Sequence, residues 1–266
     1  MTRVSLKDPR AIQITAQSTF LLLEIVWLDF CPSPLQAAIF IAGSLAVETA
    51  HARLTGTALN WKSALSTGLS LSLLLRTQSP MLWIAAAVVA MGLKYLIRVN
   101  GKHVFNPSAV AIVALLLVSN RVWVSPGQWG TTLWLAALAA TFGGLVLTRV
   151  ARVDLAAAFL ASHMVLLLAR AWHLGDPLTI PVHQIQSGSL VILALFMITD
   201  PRSTPDSRQG RMIFAAAVAV LAHLFLFRWQ EREGVFYALV LVSCATPIID
   251  RLWPGARFAW PKPHGV

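Results

Sequence analysis

The chain has 266 residues, of which 57% are hydrophobic and only 12% charged, with a formal net charge of +10 and a mean hydropathy of +0.69. A soluble domain carries about a quarter charged residues, so this composition excludes a water-facing surface over most of the molecule and points to lipid. The positive charges lie between apolar runs, with no basic stripe interleaved with aromatics. That excludes a nucleic-acid face and makes the charges reporters of membrane orientation.

Taken along the chain, apolar runs predict ten membrane helices, near 13–30, 33–50, 63–77, 81–98, 105–122, 128–148, 153–172, 183–199, 211–228 and 234–251; a full span needs about 20 residues. The first run has no small-residue cleavage site before Cys31-Pro32-Ser33-Pro34 and reads as a retained helix rather than a signal peptide. It carries Glu24, with Asp29 and Glu48 near span ends; acids in a membrane are costly and point either to function or to a structural partner. The third and eighth runs are short and polar. His163 and His223 fall in the seventh and ninth, where paired histidines could ligate a haem or simply bond a neighbouring helix. Cys31 and Cys244 show no CxxC and no metal-ligand spacing, and no disulfide between them is expected.

With the N-terminus inside and the sides alternating, 16 of the 21 Lys and Arg residues fall on cytoplasmic segments and five (Arg76, Arg121, Arg170, Arg228 and Arg232) outside. This asymmetry predicts both termini in the cytoplasm of a bacterial inner membrane. Tryptophans at 27, 123, 129, 172, 229 and 253 fall near helix ends, as an interfacial belt does. Ten helices divide into two fives, 1–124 and 125–266, and an odd number per half makes the halves inverted. Ser66-Thr67-Gly68-Leu69 in the third run echoes Ser187-Gly188-Ser189-Leu190 in the eighth, and Val104-Phe105 echoes Val235-Phe236. Interrupted helices in equivalent positions mark a central site. The alternative for the same Ser and Gly residues is close helix packing.

Two loops stand out: Asn100-Gly101-Lys102-His103-Val104-Phe105-Asn106-Pro107-Ser108 and Thr199-Asp200-Pro201-Arg202. Asn-Pro and Asp-Pro start or stop helices, and the Asn or Asp oxygen can accept orphan helix N–H groups. With Ser63-Ala64-Leu65-Ser66-Thr67-Gly68-Leu69, Ser187-Gly188-Ser189, Gly210-Arg211-Met212-Ile213-Phe214, Glu233-Gly234-Val235-Phe236-Tyr237-Ala238 and Pro247-Ile248-Ile249-Asp250, the chain resembles the D subunit of the Rnf electron-transport complex. It is similar, more distantly, to the B subunit of the sodium-pumping NADH:quinone reductase. The resemblance implies an all-α bundle of ten helices in two inverted five-helix repeats, moving electrons with flavin. Members of that family carry a long outer insert after the fifth helix, with a Ser-x-Ala-Thr motif whose threonine holds FMN covalently. Here the stretch is only Ser119-Asn120-Arg121-Val122-Trp123-Val124-Ser125-Pro126-Gly127-Gln128. Thr131 and Thr132 follow without the flanking pattern, so covalent FMN is expected to be lost.

The leading expectation is an electron-transfer subunit with a non-covalent flavin (riboflavin or FMN) between the repeats. Ser66, Thr67, Gly68, Asn106, Ser187, Gly188, Ser189, Thr199 and Asp200 would bind the cofactor. The expected partners are the lipid bilayer, other membrane or redox subunits, and a quinone. Two alternatives stand beside it: a small-solute channel on a urea-transporter-like plan, with the same Ser, Thr and Gly residues lining a pore, and a cofactor-free accessory subunit. No catalytic residue set and no metal-ligand set is visible in the sequence.

Overall fold

The computed structural model describes residues 8–27, 33–125 and 133–259. Arg3, Lys7, Asp29, Cys31, Trp129, Thr131, Thr132 and Lys262 lie outside the described residues.

The first helix, α1 (Pro9–Val26), starts where Asp8 accepts the Arg10 backbone N–H at 3.0 Å, with proline at its first position; that N–H would otherwise be an orphan. Helix α2 (Pro34–Thr55) also opens on proline and stops at Gly56, whose φ of 64° ends a helix at no steric cost. Helix α3 (Trp61–Leu74) runs into an extended segment β1 (Leu75–Thr77), and α4 (Pro80–Leu96) follows. A tight hairpin, β2 (Arg98–Val99) and β3 (Lys102–His103), turns on Asn100 and Gly101 at φ 52° and 76°, the backbone an Asn-Gly pair favours. Helix α5 (Pro107–Val118), capped by Asn106, leads into β4 (Val122–Val124).

Helix α6 (Leu133–Val150) begins the second half. It is followed by α7 (Val153–Leu174), the short α8 (Thr179–Ile185), and α9 (Gly188–Ile192), which continues as a π-helical turn over Leu193–Met197. Then come α10 (Arg208–Arg228), α11 (Gly234–Ser243) and α12 (Thr246–Leu252). Each of the ten expected runs thus contains a helix or a bent helix pair. Among the described residues three helices, α2, α7 and α10, are long and apolar enough to cross a membrane, or five if each bent pair is one span. The pairs are α8 with α9 and its π turn, bent by 52°, and α11 with α12, bent by 49°. The expectation of ten crossings therefore rests on charge alternation, not on helix length.

The structure corrects the all-α expectation at two places. Residues 75–77, read from sequence as the end of the third helix, are a strand paired antiparallel with residues 122–124, read as the last residue of the fifth span and the start of the outer stretch after it (Leu75↔Val124, Thr77↔Val122). The second ladder is the β2–β3 hairpin. The helices stop short because each extended exit finds its backbone partners in the other, and buried N–H and C=O groups must be paired. The β1 corner is pinned by charge as well. Arg76 Nη2 lies 3.0 Å from Glu24 Oε2, and Arg76 Nη1 donates to Ser72 O at 2.7 Å and Leu75 O at 3.3 Å. Glu24, ambiguous in sequence, is a buried ion-pair partner.

Helix α2 packs on α3 and α4, α4 on α5, and α1 on α3. In the second half α7 packs on α10 and α10 on α11, while α1 meets α6 and α5 meets α11 across the halves. Alanines and glycines let these helices approach: a Cβ on Gly68 would stand 2.7 Å from Ile41 Cα and 2.9 Å from Phe40 O of α2. The outer surface is apolar, with Leu22, Leu54, Met81, Leu117, Val165 and Trp172 among its exposed side chains. Only 33% of the apolar windows of α7 and α10 is buried, so most of both helices is left to face lipid.

Candidate functional site: a polar cavity between the halves

One end of the bundle gathers cations, here termed the basic end. A cavity of about 220 Å³ opens there, lined by residues of both halves. Its polar wall comes from α3 (Ser63, Ser66, Thr67, Ser70) and the start of α5 (Asn106, Ser108); its apolar wall is Pro107, Val146, Val150 and Phe196. Thr199, Asp200 and Arg202 close it from the loop after the π turn, and Arg10, Lys62, Lys94, Arg98 and His103 are among the remaining lining residues.

Local chemistry fixes each polar side chain. Gln17, fully buried, donates to Ser70 Oγ at 2.8 Å and accepts from Ser66 Oγ at 3.0 Å, tying α1 to α3. Thr67 Oγ1 donates to Ser63 O at 2.9 Å, and Thr199 Oγ1 to Leu195 O at 2.7 Å. With their protons committed, Ser66, Thr67 and Thr199 keep only lone pairs free for a ligand. Asn106 Oδ1 accepts from Ala109 N at 3.1 Å and Ser108 Oγ at 2.8 Å. Its Nδ2 makes no hydrogen bond among the described residues and remains a donor for a ligand.

Asp200 Oδ1 accepts from Arg202 N at 3.0 Å, and Oδ2 lies 3.3 Å from His103 Nε2. Burial alone would push its carboxyl up; the His103 ring and the Arg202 N–H outweigh this and hold it below the usual carboxylate value. Asp8 behaves the same way: burial opposes ionisation, and Arg10 and Lys62, the latter 2.7 Å away, win. Glu48 is drawn into this end too, accepting from Tyr95 Oη, from Lys94 Nζ at 3.3 Å and from Asn60 N at 2.9 Å.

A second cavity of about 230 Å³ lies beside the hairpin and α12. In its wall, buried Lys102 donates to Thr204 O at 2.6 Å, Asp250 Oδ2 at 2.9 Å and Asp206 Oδ1 at 3.1 Å. Asp250 Oδ1 also accepts Asp206 N at 2.8 Å. Arg211 clasps Asp154 at 2.6 Å, and a Cβ on Gly210 would meet Ile249, Ser207 and Pro205 within 3.0 Å. Asp250 thus latches the first-half hairpin onto the second half, while Gly210 and Arg211 hold α10 against α7 and α12 within the second half.

Of the residues expected from sequence, Ser66, Thr67, Asn106, Thr199 and Asp200 come together in the first cavity, and Gly68, Ser187, Gly188 and Ser189 do not line it. Gly68 stands against the α2 backbone. Ser187 and Ser189 are 2.9 Å apart at the break between α8 and α9, where Gly188 is buried. Among the described residues His163 and His223 each keep a buried Nδ1 without a hydrogen-bond partner, and no group of three metal-ligating side chains occurs. Sequence reasoning missed Lys62, Lys94, Arg98 and Arg202 as lining residues. Their signal, cations at helix ends, had been used up in assigning orientation.

A helical bundle with an apolar exterior, membrane-length helices and a polar cavity opening at one end defines an integral membrane protein. The NQR2, RnfD, RnfE family matches residues 118–259, more than half of the chain, and the chain belongs to this family. The D subunit of an ion-translocating oxidoreductase complex from Stutzerimonas stutzeri is 29% identical over 261 residues, covering 71% of this chain and 73% of the relative. The D subunit of a proton-translocating ferredoxin:NAD(+) oxidoreductase complex from Clostridium ljungdahlii is 36% identical over 78 residues, 29% of this chain and 24% of the relative. The corresponding D subunit of an ion-translocating oxidoreductase complex from Halorhodospira halophila is 34% identical over 120 residues, with 43% and 33% covered.

Proposed function

We propose that the chain is an electron-transfer subunit of a membrane oxidoreductase complex and holds a non-covalent flavin in the cavity between its halves. The observation that carries this reading is the convergence of Ser66, Thr67, Asn106, Thr199 and Asp200, from separate segments of both halves, on one cavity. The cavity's chemistry suits a flavin: Phe196, Val146 and Val150 offer an apolar wall to a ring, and the hydroxyl and amide groups opposite suit its polar edge or ribityl chain. At about 220 Å³ it is smaller than the roughly 300–1,000 Å³ of most ligand sites, so it encloses part of such a ligand and leaves the rest at the mouth. Bound flavin would supply one- and two-electron redox chemistry. The chain's own residues would orient it, with Asn106 Nδ2 donating and the lone pairs of Ser66, Thr67 and Asp200 accepting.

The architecture in this reading is two inverted five-helix repeats, 1–124 and 125–266, in a bacterial inner membrane with both termini in the cytoplasm. The helix pairing supports it: α2 with α4 and α4 with α5 in the first half match α7 with α10 and α10 with α11 in the second, and α1–α6 and α5–α11 contacts cross between the halves. The charge asymmetry supports a cytoplasmic basic end. Partners are then other redox subunits of the complex, with a quinone as one acceptor. Loss of covalent FMN fits the short 119–128 stretch, whose residues 122–124 are committed to the β1 ladder.

The test is the visible spectrum of mildly solubilised protein before and after acid precipitation. Flavin bands that leave with the supernatant support the reading; a colourless sample that stays colourless after flavin reconstitution defeats it. A second reading is favoured by the cavity's small volume: a passage for a small polar solute. Uptake of urea-sized solutes by proteoliposomes, lost when Asn106 is replaced by leucine, would turn the assignment that way. Membership of a family of complex subunits speaks equally for a cofactor-free accessory role, which co-purification of partners with a colourless protein would reveal.

A further inference from the structure

We infer that the mouth of this cavity is a site for a phosphate dianion, esterified or free, gripped by Arg98 of the first half and Arg202 of the second. The acids around the cavity are already committed. Asp8 holds Arg10 at 3.0 Å and Lys62 at 2.7 Å, Glu48 holds Lys94 at 3.3 Å, and Asp200 accepts from a backbone N–H and faces His103. Arg98 and Arg202 also line the cavity, and neither has a carboxylate within ion-pair distance among the described residues. Arg98 is exposed and lies 5.4 Å from the centre of the Tyr95 ring; Arg202 makes a long 3.4 Å bond to Gly101 O. Both guanidinium forks therefore keep most of their donors free, and a fork matches phosphate oxygens two at a time.

The two cations come from opposite halves of the bundle, at one cavity and beside buried Lys94. Like charges held together raise each other's energy, and an anion placed among them relieves this. A ligand whose body enters the cavity would leave its charged end at this rim. The phosphate could belong to a flavin mononucleotide or be free inorganic phosphate. Only the first source rests on the flavin reading.

The test titrates the full chain, stripped of chromophore in detergent, with riboflavin, FMN and inorganic phosphate at fixed ionic strength. The expected result is FMN binding at least tenfold tighter than riboflavin, with the ratio falling to within twofold in the Arg98→Gln, Arg202→Gln double variant. A ligand-free melting temperature equal to that of the wild type is the check that the variant is folded. If neither flavin binds but phosphate raises the melting temperature of the wild type and not of the variant, the phosphate site stands and the flavin reading falls. If riboflavin and FMN bind within twofold of each other, the phosphate site is overturned and the flavin reading survives. Binding of none of the three overturns both.

Discussion

The Glu24–Arg76 pair offers the sharpest test of how the broken third helix is held. Its N···O distance is 3.0 Å, and the side chains are 1% and 9% exposed. Across 3 Å at an effective dielectric near 20, the attraction is about 5 kcal/mol, and removing both charges from water costs a comparable amount. The pair as a whole therefore adds little, whereas removing one partner strands the other. Arg76→Met leaves Glu24 buried beside a thioether and frees Ser72 O from its 2.7 Å bond. The expected loss is about 3–5 kcal/mol. Replacing both, Arg76→Met with Glu24→Leu, removes the stranded charge and is expected to recover at least about 2 kcal/mol of that loss. The assay is denaturant or thermal unfolding in detergent, followed by tryptophan emission, on the wild type, both single variants and the double. An Arg76→Met variant within about 1 kcal/mol of wild type, or a double variant as unstable as the sum of the singles, would refute the reasoning.

Gly68→Ala must push the α2 backbone away from contacts at 2.7 and 2.9 Å and is expected to cost about 1–3 kcal/mol. Gly92→Ala in α4, with nothing within 4 Å, is the control and is expected to gain up to about 1 kcal/mol; equal melting of the two variants would contradict the packing argument. Asp200 and Asp8 both titrate below their ordinary value of 3.8. Their stabilising contribution is full above that value and is lost as pH falls through the lower folded value, so melting temperature is expected to drop below about pH 4. Asp200→Asn should show a shallower acid limb, and a limb parallel to that of the wild type would exclude the carboxylate as its source. Arg152 is 4% exposed, its Nε and Nη2 have no hydrogen-bond partner among the described residues, and its bond to Ala151 O is 3.5 Å long. Arg152→Met is expected to be neutral or stabilising by up to about 2 kcal/mol, and a melting point lowered by more than a few degrees would show that the guanidinium is satisfied in solution.

The apolar runs located every helix because burial in lipid leaves a local, contiguous mark on the sequence. They missed the end of the third helix at Leu74 because what stops it is a ladder with Val122–Val124, far along the chain and invisible to any local window. Asn106 and Asp200 were legible because capping chemistry sits next to proline in the chain. Gly68 and Gly188 were not separable from cofactor-contacting glycines: a residue without a Cβ serves close packing and ligand approach equally well, and only the 2.7 Å approach to Ile41 decides the first. Arg98 and Arg202 carried a signal that had two meanings, orientation in the membrane and charge at a site, and only their meeting at one cavity brings out the second.

The motifs that mark the family divide between frame and cavity, and this bears on what the family match can transmit. Gly210, Arg211 and Asp250 hold helices, the hairpin and Lys102 in place, and a Cβ on Gly234 would stand 2.5 Å from Phe225 Cβ. Gly210, Arg211 and Gly234 set the packing within the second half, and Asp250 joins it to the first through Lys102. The cavity's own chemistry comes from Ser66, Thr67, Asn106 and Asp200 together with the cations at its rim. A relative can keep the frame and change the ligand by altering only the rim, because function resides in the site and not in the fold that carries it. Binding by the Arg98 and Arg202 variants, more than any further sequence match, is what distinguishes a shared architecture from a shared ligand.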